Sequence, residues 1–231
     1  MKKNLDTLKL VKGIGVVLMH FALIYILQIP FLLFTENLYA TTIPAYFLTM
    51  MFFIILYRKE LKEDLKDFKK NHKKILITTL KYWLLGFALM YVSGIIINLL
   101  PIDTVVNQQQ NSDMLKTYPI LEILIACLFA PITEEIVFRM SFKGFTDNKW
   151  LYAITTGLIF GFVHILTSLL MYKTPLMLIY LLPYGSLGIV FGFAYFKTDN
   201  IYGNMIFHAL HNAISILELL LIGGILLWVK K

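Results

Sequence analysis

Polar positions in this chain are gathered into short connections, and the apolar positions run nearly unbroken between them. Seven apolar stretches are readable, over approximately Gly13–Phe34, Thr42–Tyr57, Ile75–Leu100, Tyr118–Phe142, Trp150–Tyr172, Pro175–Phe196 and Ile201–Leu221. Most reach the roughly 20 apolar residues that a helix needs to cross the hydrocarbon core of a bilayer; the second is shorter. Lipid offers no partner for a free N–H or C=O, so segments of this kind span as helices. Beyond Gly223-Gly224 the tail either continues the seventh helix or folds back as a short eighth ending at Lys230-Lys231. The pattern predicts an all-α, polytopic bundle of seven to eight spans forming one integral membrane domain over residues 1–231. The first apolar stretch follows Lys2, Lys3, Lys9 and Lys12, but it is too long for a signal peptide and reads as a retained span.

Composition agrees: 58% of residues are hydrophobic and 15% charged, where a soluble domain carries about 25% charged residues. The net charge of +7 could suggest a nucleic-acid partner, yet the basic residues lie in the connections, where they orient membrane proteins. Arg58, Lys59, Lys62, Lys66, Lys69, Lys70, Lys73 and Lys74 fall in one segment. Lys143, Lys149 and Lys197 fall on the same side, and the opposite side offers only Lys116 and Lys173. The positive-inside rule then puts the N-terminus in the cytoplasm of a cell whose Lys-, Asn-, Ile- and Leu-rich composition points to an AT-rich bacterial genome. The expected partner is the lipid bilayer, with no nucleic acid and no feature that sets an oligomeric state. Glu60, Glu63, Asp64 and Asp67 are interleaved with the lysines of Arg58–Lys74, which predicts a solvated or membrane-surface helix. The Pro101–Thr117 loop is polar, without apolar periodicity, and is assigned no chemistry. Cys127 is the single cysteine and reads as a packing thiol.

Against this background one short run stands out: Glu134-Glu135-Ile136-Val137-Phe138-Arg139. Ionisable groups in an apolar span are functional candidates when partners can be named. Residues four apart share a helix face, so Glu135 and Arg139 can pair. Glu134 is rotated by about 100° and points elsewhere, free to act as a base. Three partners lie on later spans: His164 in Phe160-Gly161-Phe162-Val163-His164, and His208 and Asn212 in His208-Ala209-Leu210-His211-Asn212. Each has a bland alternative, a histidine bonded to a backbone carbonyl or an asparagine bridging two helices. Depth along the helices favours convergence, at about 12 Å from the cytoplasmic face for Glu134, about 10 Å for His208 and, more loosely, about 21 Å for His164. Together they predict a polar cavity open toward the cytoplasmic side.

These three signatures resemble those of the CAAX protease and bacteriocin-processing (CPBP, or Abi) intramembrane proteases: Glu-Glu-x-x-x-Arg, Phe-x-x-x-His and His-x-x-x-Asn on separate membrane helices. The resemblance covers residues 118–212, within a predicted catalytic core of 118–221. It implies an intramembrane endopeptidase acting on a membrane-associated peptide or membrane protein, as in peptide maturation or bacteriocin immunity. It further implies that Glu134 and His164 activate water, that His208 and Asn212 stabilise the oxyanion, and that Glu135, Arg139 and Phe160 support them. Whether a cofactor is needed is left open between none and a divalent metal such as zinc, which would use Glu134, His164 and His208. Two other readings stand beside the enzyme: a non-catalytic membrane regulator on the same fold, and a proton-coupled carrier, which the lack of an inverted repeat disfavours.

Overall fold

A computed structural model describes residues 5–229 of the chain, and their side chains as far as residue 221. Lys2, Lys3, Lys230 and Lys231, which enter the charge pattern, lie outside the described residues. Among the described residues every regular element is helical. Helix α1 covers Thr7–Leu32, α2 Leu38–Leu56, α3 Arg58–Asn98 and α4 Val106–Thr117. Then come α5 Pro119–Leu124, a π turn Ile125–Phe129, α6 Ala130–Phe138 and a 3-10 turn Met140–Phe142. The chain closes with α7 Lys149–Tyr172, a 3-10 segment Pro175–Tyr180, α8 Leu181–Thr198 and α9 Ile201–Val229. The protein is a multi-pass membrane protein. Six helical stretches are long and apolar enough to cross a bilayer: Thr7–Leu32, Leu38–Leu56, Arg58–Asn98, Lys149–Tyr172, Pro175–Thr198 and Ile201–Leu221.

The remaining stretch, Tyr118–Phe142, is helical but not one regular helix. Pro131 has no N–H and its ring presses on the carbonyl four residues back, so the ladder cannot run through it as a plain α-helix. The strain is taken up by the π turn, in which the Ala130 N–H reaches the Ile125 carbonyl. Arg139 then leaves helical geometry at φ −123°, ψ −63°.

Two expectations are made specific and one is revised. Of the two courses left open for the tail, the last helix continues through Gly223-Gly224 to Val229. Arg58–Lys74 is helical and mostly exposed, and it forms the first part of the 41-residue α3. It buries Leu61 and Asp64 at the start of α9, where the Asp64 carboxylate accepts the Ile201 N–H at 2.9 Å and Asn200 donates to the Asp64 carbonyl at 2.7 Å. The polar Pro101–Thr117 loop contains α4. Its buried residues Val106, Met114 and Leu115 are too widely spaced to register as a period, and the Val106 N–H donates to Ser168 Oγ at 2.9 Å.

Helix α6 lies at the centre, touching α1, α2, α7 and α9. Its Ile136, Val137 and Phe138 belong to the largest apolar cluster, with Val16, Phe53, Phe160 and Tyr195. Beside it, α7 and α8 form the most extensively packed pair among the described residues. Without a solvent-driven hydrophobic force between helices in lipid, small residues that let backbones approach supply the packing. Here Gly157 and Gly161 of α7 face Gly185 and Gly188 of α8: a Cβ on Gly188 would lie 2.8 Å from the Gly157 carbonyl oxygen. Gly15 of α1 has open space around it instead. Gly188→Leu should therefore destabilise the fold by about 1–3 kcal/mol, the range for overpacking, while Gly15→Leu should be neutral. Thermal unfolding of the two variants in detergent measures the difference, and equal midpoints would refute the packing account.

Candidate active site

Glu135 is the most constrained side chain at the centre of the bundle. It is fully buried and its two carboxylate oxygens meet three partners on two helices. Oε2 faces Arg139 Nε at 3.5 Å, the i,i+4 pair expected from helix phase. The same oxygen accepts from Asn204 Nδ2 at 3.0 Å, and Oε1 meets His208 Nδ1 at 2.9 Å. Since a carboxylate oxygen accepts, His208 carries its proton on Nδ1 in this contact. Asn204 also donates to the Phe191 carbonyl at 2.9 Å, tying α9 to α8.

Arg139 is likewise fully buried. Nη2 donates to the Gly188 carbonyl at 3.2 Å. Its guanidinium carbon lies 4.7 Å from the Phe160 ring centre and 5.9 Å from that of Phe191, so two aromatic faces take the place of water. The Tyr152 hydroxyl donates to the Arg139 carbonyl at 2.7 Å, securing the backbone where the helix ends. Phe160 thus acts through its ring, which supports Arg139, and through its carbonyl, which faces His164 Nδ1 at 2.9 Å.

Glu134 is placed differently from its neighbour. Its side chain keeps 17% exposure against 0% for Glu135, and it accepts no hydrogen bond among the described residues. Its Oε2 lies 3.6 Å from His208 Nε2. His208 therefore stands between the two glutamates, bonded to one and facing the other. His164 is within electrostatic range of both Glu134 and His208. Its bond to the Phe160 carbonyl is the one expected of an ordinary packed histidine, but it has a chemical consequence: a carbonyl only accepts, so Nδ1 carries the proton and Nε2 of the neutral ring is left as an acceptor. Asn212 sits one helical turn beyond His208, and its Nδ2 donates to the Ala126 carbonyl at 2.7 Å. That contact is the helix-bridging alternative for this residue.

Several side chains at the site escape a reading of the sequence. Asn204 lies four residues before His208 and so continues the face that carries His208 and Asn212; the i−4 position is the available signal. Tyr184 of α8 stacks on His164 at 5.0 Å between ring centres, and no sequence spacing links the two. His20 of α1 is buried, its Nδ1 has no hydrogen-bond partner among the described residues, and it lies within electrostatic range of His164. As an ionisable residue inside an apolar span, it meets the criterion that singles out Glu134. Tyr46 of α2 lies within electrostatic range of Glu134.

Among the described residues no group of three or more His, Cys, Asp or Glu side chains is arranged to hold a metal ion. Glu134, His164 and His208, the set zinc would use, do not converge on one point in this arrangement. What the cluster can do as it stands is hold a water beside a free carboxylate, between a histidine acceptor and a second histidine.

Removing one member of a buried ion pair leaves the other unmatched, which typically costs about 3–5 kcal/mol. Glu135→Ala and Arg139→Met should each lower stability by that amount, and the double variant should lose less than the sum. Chemical unfolding in mixed micelles provides the measure, and strictly additive losses would show that the two charges are not coupled.

Comparison with known proteins bears on the segment that carries these residues. Residues 116–214 match the family model described as type II CAAX prenyl endopeptidase Rce1-like. Two curated proteins of Lactococcus lactis subsp. lactis (strain IL1403) are similar. UPF0177 protein YbdI is 29% identical over 130 residues, covering 52% of this chain and 69% of that protein. UPF0177 protein YvdC is 30% identical over 138 residues, covering 56% of this chain and 49% of that protein, about half its length. No solved structure matches.

Proposed function

From the match of residues 116–214 to the Rce1-like, CAAX-protease-type family model, we propose that the chain is an intramembrane endopeptidase in which Glu134 activates water. The observation that carries the proposal is the division between the two glutamates. Glu135 is saturated by Arg139, Asn204 and His208. Glu134, one residue away, is part-exposed, unbonded and 3.6 Å from a histidine nitrogen. Only Glu134 is free to take a proton.

In this mechanism a water lies between the Glu134 carboxylate and His164 Nε2, the acceptor that fixes its orientation. Glu134 removes one proton as the water oxygen attacks the scissile carbonyl carbon. His208, held through Nδ1 by Glu135 and with Nε2 facing Glu134, stabilises through Nε2 the oxyanion that forms. Donors placed for that charge typically contribute about 10²–10³ in rate. The C–N bond then breaks, and the proton taken up by Glu134 passes to the departing amine. Glu135, Arg139, Asn204 and Phe160 touch none of the reacting atoms; they hold His208, His164 and the helix end in place.

The substrate class that fits is a membrane-associated peptide or a membrane protein, reached from the Lys-rich, cytoplasmic side of a bacterial membrane. A short bacterial peptide suits the Lactococcus relatives and the composition better than a prenylated protein. Peptide maturation and bacteriocin immunity are the roles such a cleavage would serve.

Purified full-length protein in detergent, given candidate membrane-associated peptides, tests the assignment. Glu134→Gln should lower kcat by about 10²–10⁴, the usual contribution of a positioned base, and His208→Ala by about 10²–10³, with folding intact by circular dichroism. His164→Ala should reduce kcat more than it alters KM. Normal cleavage by Glu134→Gln would overturn the base assignment. A biological phenotype that survives Glu134→Gln would point instead to a non-catalytic regulator.

A further inference from the structure

Asn212 makes a bond whose meaning depends on a proline in another helix. In the π turn, N–H groups reach five residues back, as the Ala130 N–H does to Ile125. The residue five beyond Ala126 is Pro131, which has no N–H. In this π register, with the Ala130 N–H taken by Ile125, the Ala126 carbonyl has no ladder donor. A regular α-helix would give Ala126 the Ala130 N–H, but it would leave the Cys127 carbonyl without a donor and drive the proline ring into it. Inside a bilayer no water replaces a missing donor, so an unmatched carbonyl is costly. Asn212 Nδ2 occupies that carbonyl at 2.7 Å.

The turn controls the site through helix phase. A π turn inserts an extra residue, and each residue rotates the helix by about 100°. Glu134 and Glu135 lie immediately beyond it on α6. Helix α9 grips this segment at two levels, through Asn212 at Ala126 and through His208 and Asn204 at Glu135. Losing the upper grip frees the turn to slip and the glutamates to rotate away from His208 and His164.

We propose that Asn212 is a positioning residue: its amide replaces the backbone donor that Pro131 removes, holding the π turn that aims Glu134 and Glu135. This differs from the oxyanion role implied by the resemblance. The consequence for cleavage rests on the peptidase reading; the consequence for the turn does not.

Cys127, the only cysteine in the chain and half-buried within the π turn, reports on the turn without any need for activity. In detergent-solubilised full-length protein, Asn212→Ala should raise the rate of Cys127 alkylation by N-ethylmaleimide about tenfold, the size expected when a buried carbonyl loses its donor. It should lower kcat for peptide cleavage by at least a similar factor, about tenfold, with a smaller change in KM. In a Pro131→Ala background, where an N–H is restored, adding Asn212→Ala should change both readouts by less than about threefold. An unchanged alkylation rate in Asn212→Ala, with the same loss of kcat in both backgrounds, would overturn the proposal and place Asn212 on the reacting atoms. Should Pro131→Ala fail to fold, the alkylation rate of Asn212→Ala alone decides, a rise supporting the proposal and no change overturning it. A wild-type protein that cleaves nothing would end the peptidase reading while leaving the alkylation comparison valid.

Discussion

The site depends on a carboxylate and a guanidinium buried side by side where water is absent. Glu135 and Arg139 are both fully buried, and neither charge is tolerable there without the other. Their mutual attraction does not satisfy them alone. Glu135 also takes hydrogen bonds from two residues of α9, and Arg139 takes a carbonyl from α8 and two aromatic faces from α7 and α8. A single ion pair at the end of α6 thereby ties together three other helices. The close α7–α8 packing belongs to the same requirement, because the carbonyl that Arg139 uses is that of Gly188, at the crossing point.

That network explains why two adjacent glutamates differ in kind. One carboxylate is consumed in structure, and its bond through His208 Nδ1 turns the other nitrogen toward the second carboxylate. His164 is treated in the same way by the Phe160 carbonyl, which leaves Nε2 as an acceptor. In both cases a structural hydrogen bond on one ring nitrogen decides the chemistry of the other. A histidine that looks merely packed and a histidine that orients water are compatible descriptions of one residue.

The irregular backbone around these residues follows from the same scarcity of partners in lipid. Pro131 prevents a continuous ladder, a π turn accommodates it, and a side chain from α9 supplies the missing donor. Arg139 leaves helical geometry at the point where the Tyr152 hydroxyl holds its carbonyl. Departures from regular helix are tolerated at membrane depth when other helices complete the hydrogen bonds.

Much of this is legible in the order of the amino acids. Hydropathy alone determines an all-helical membrane protein and the approximate places of six stretches able to span, because lipid permits few alternatives to a helix of the right length; it does not show that Tyr118–Phe142 is broken. Spacing alone determines that Glu135 and Arg139 share a face and that Glu134 does not, because helix geometry is local. It also marks His164, His208 and Asn212 as anomalies in apolar segments. Tertiary structure alone decided which atoms those anomalies meet: Asn204 on Glu135, Tyr184 against His164, Asn212 on the Ala126 carbonyl. It also decided that the Gly223-Gly224 pair stays within a helix and that the polar connection before Tyr118 carries one of its own. The physical reason is common to all of these. Periodicity constrains residues within one turn of each other, whereas hydrogen bonds between helices here join positions as distant as Val106 and Ser168, 62 apart, or Asp64 and Ile201, 137 apart, and only packing brings such positions together.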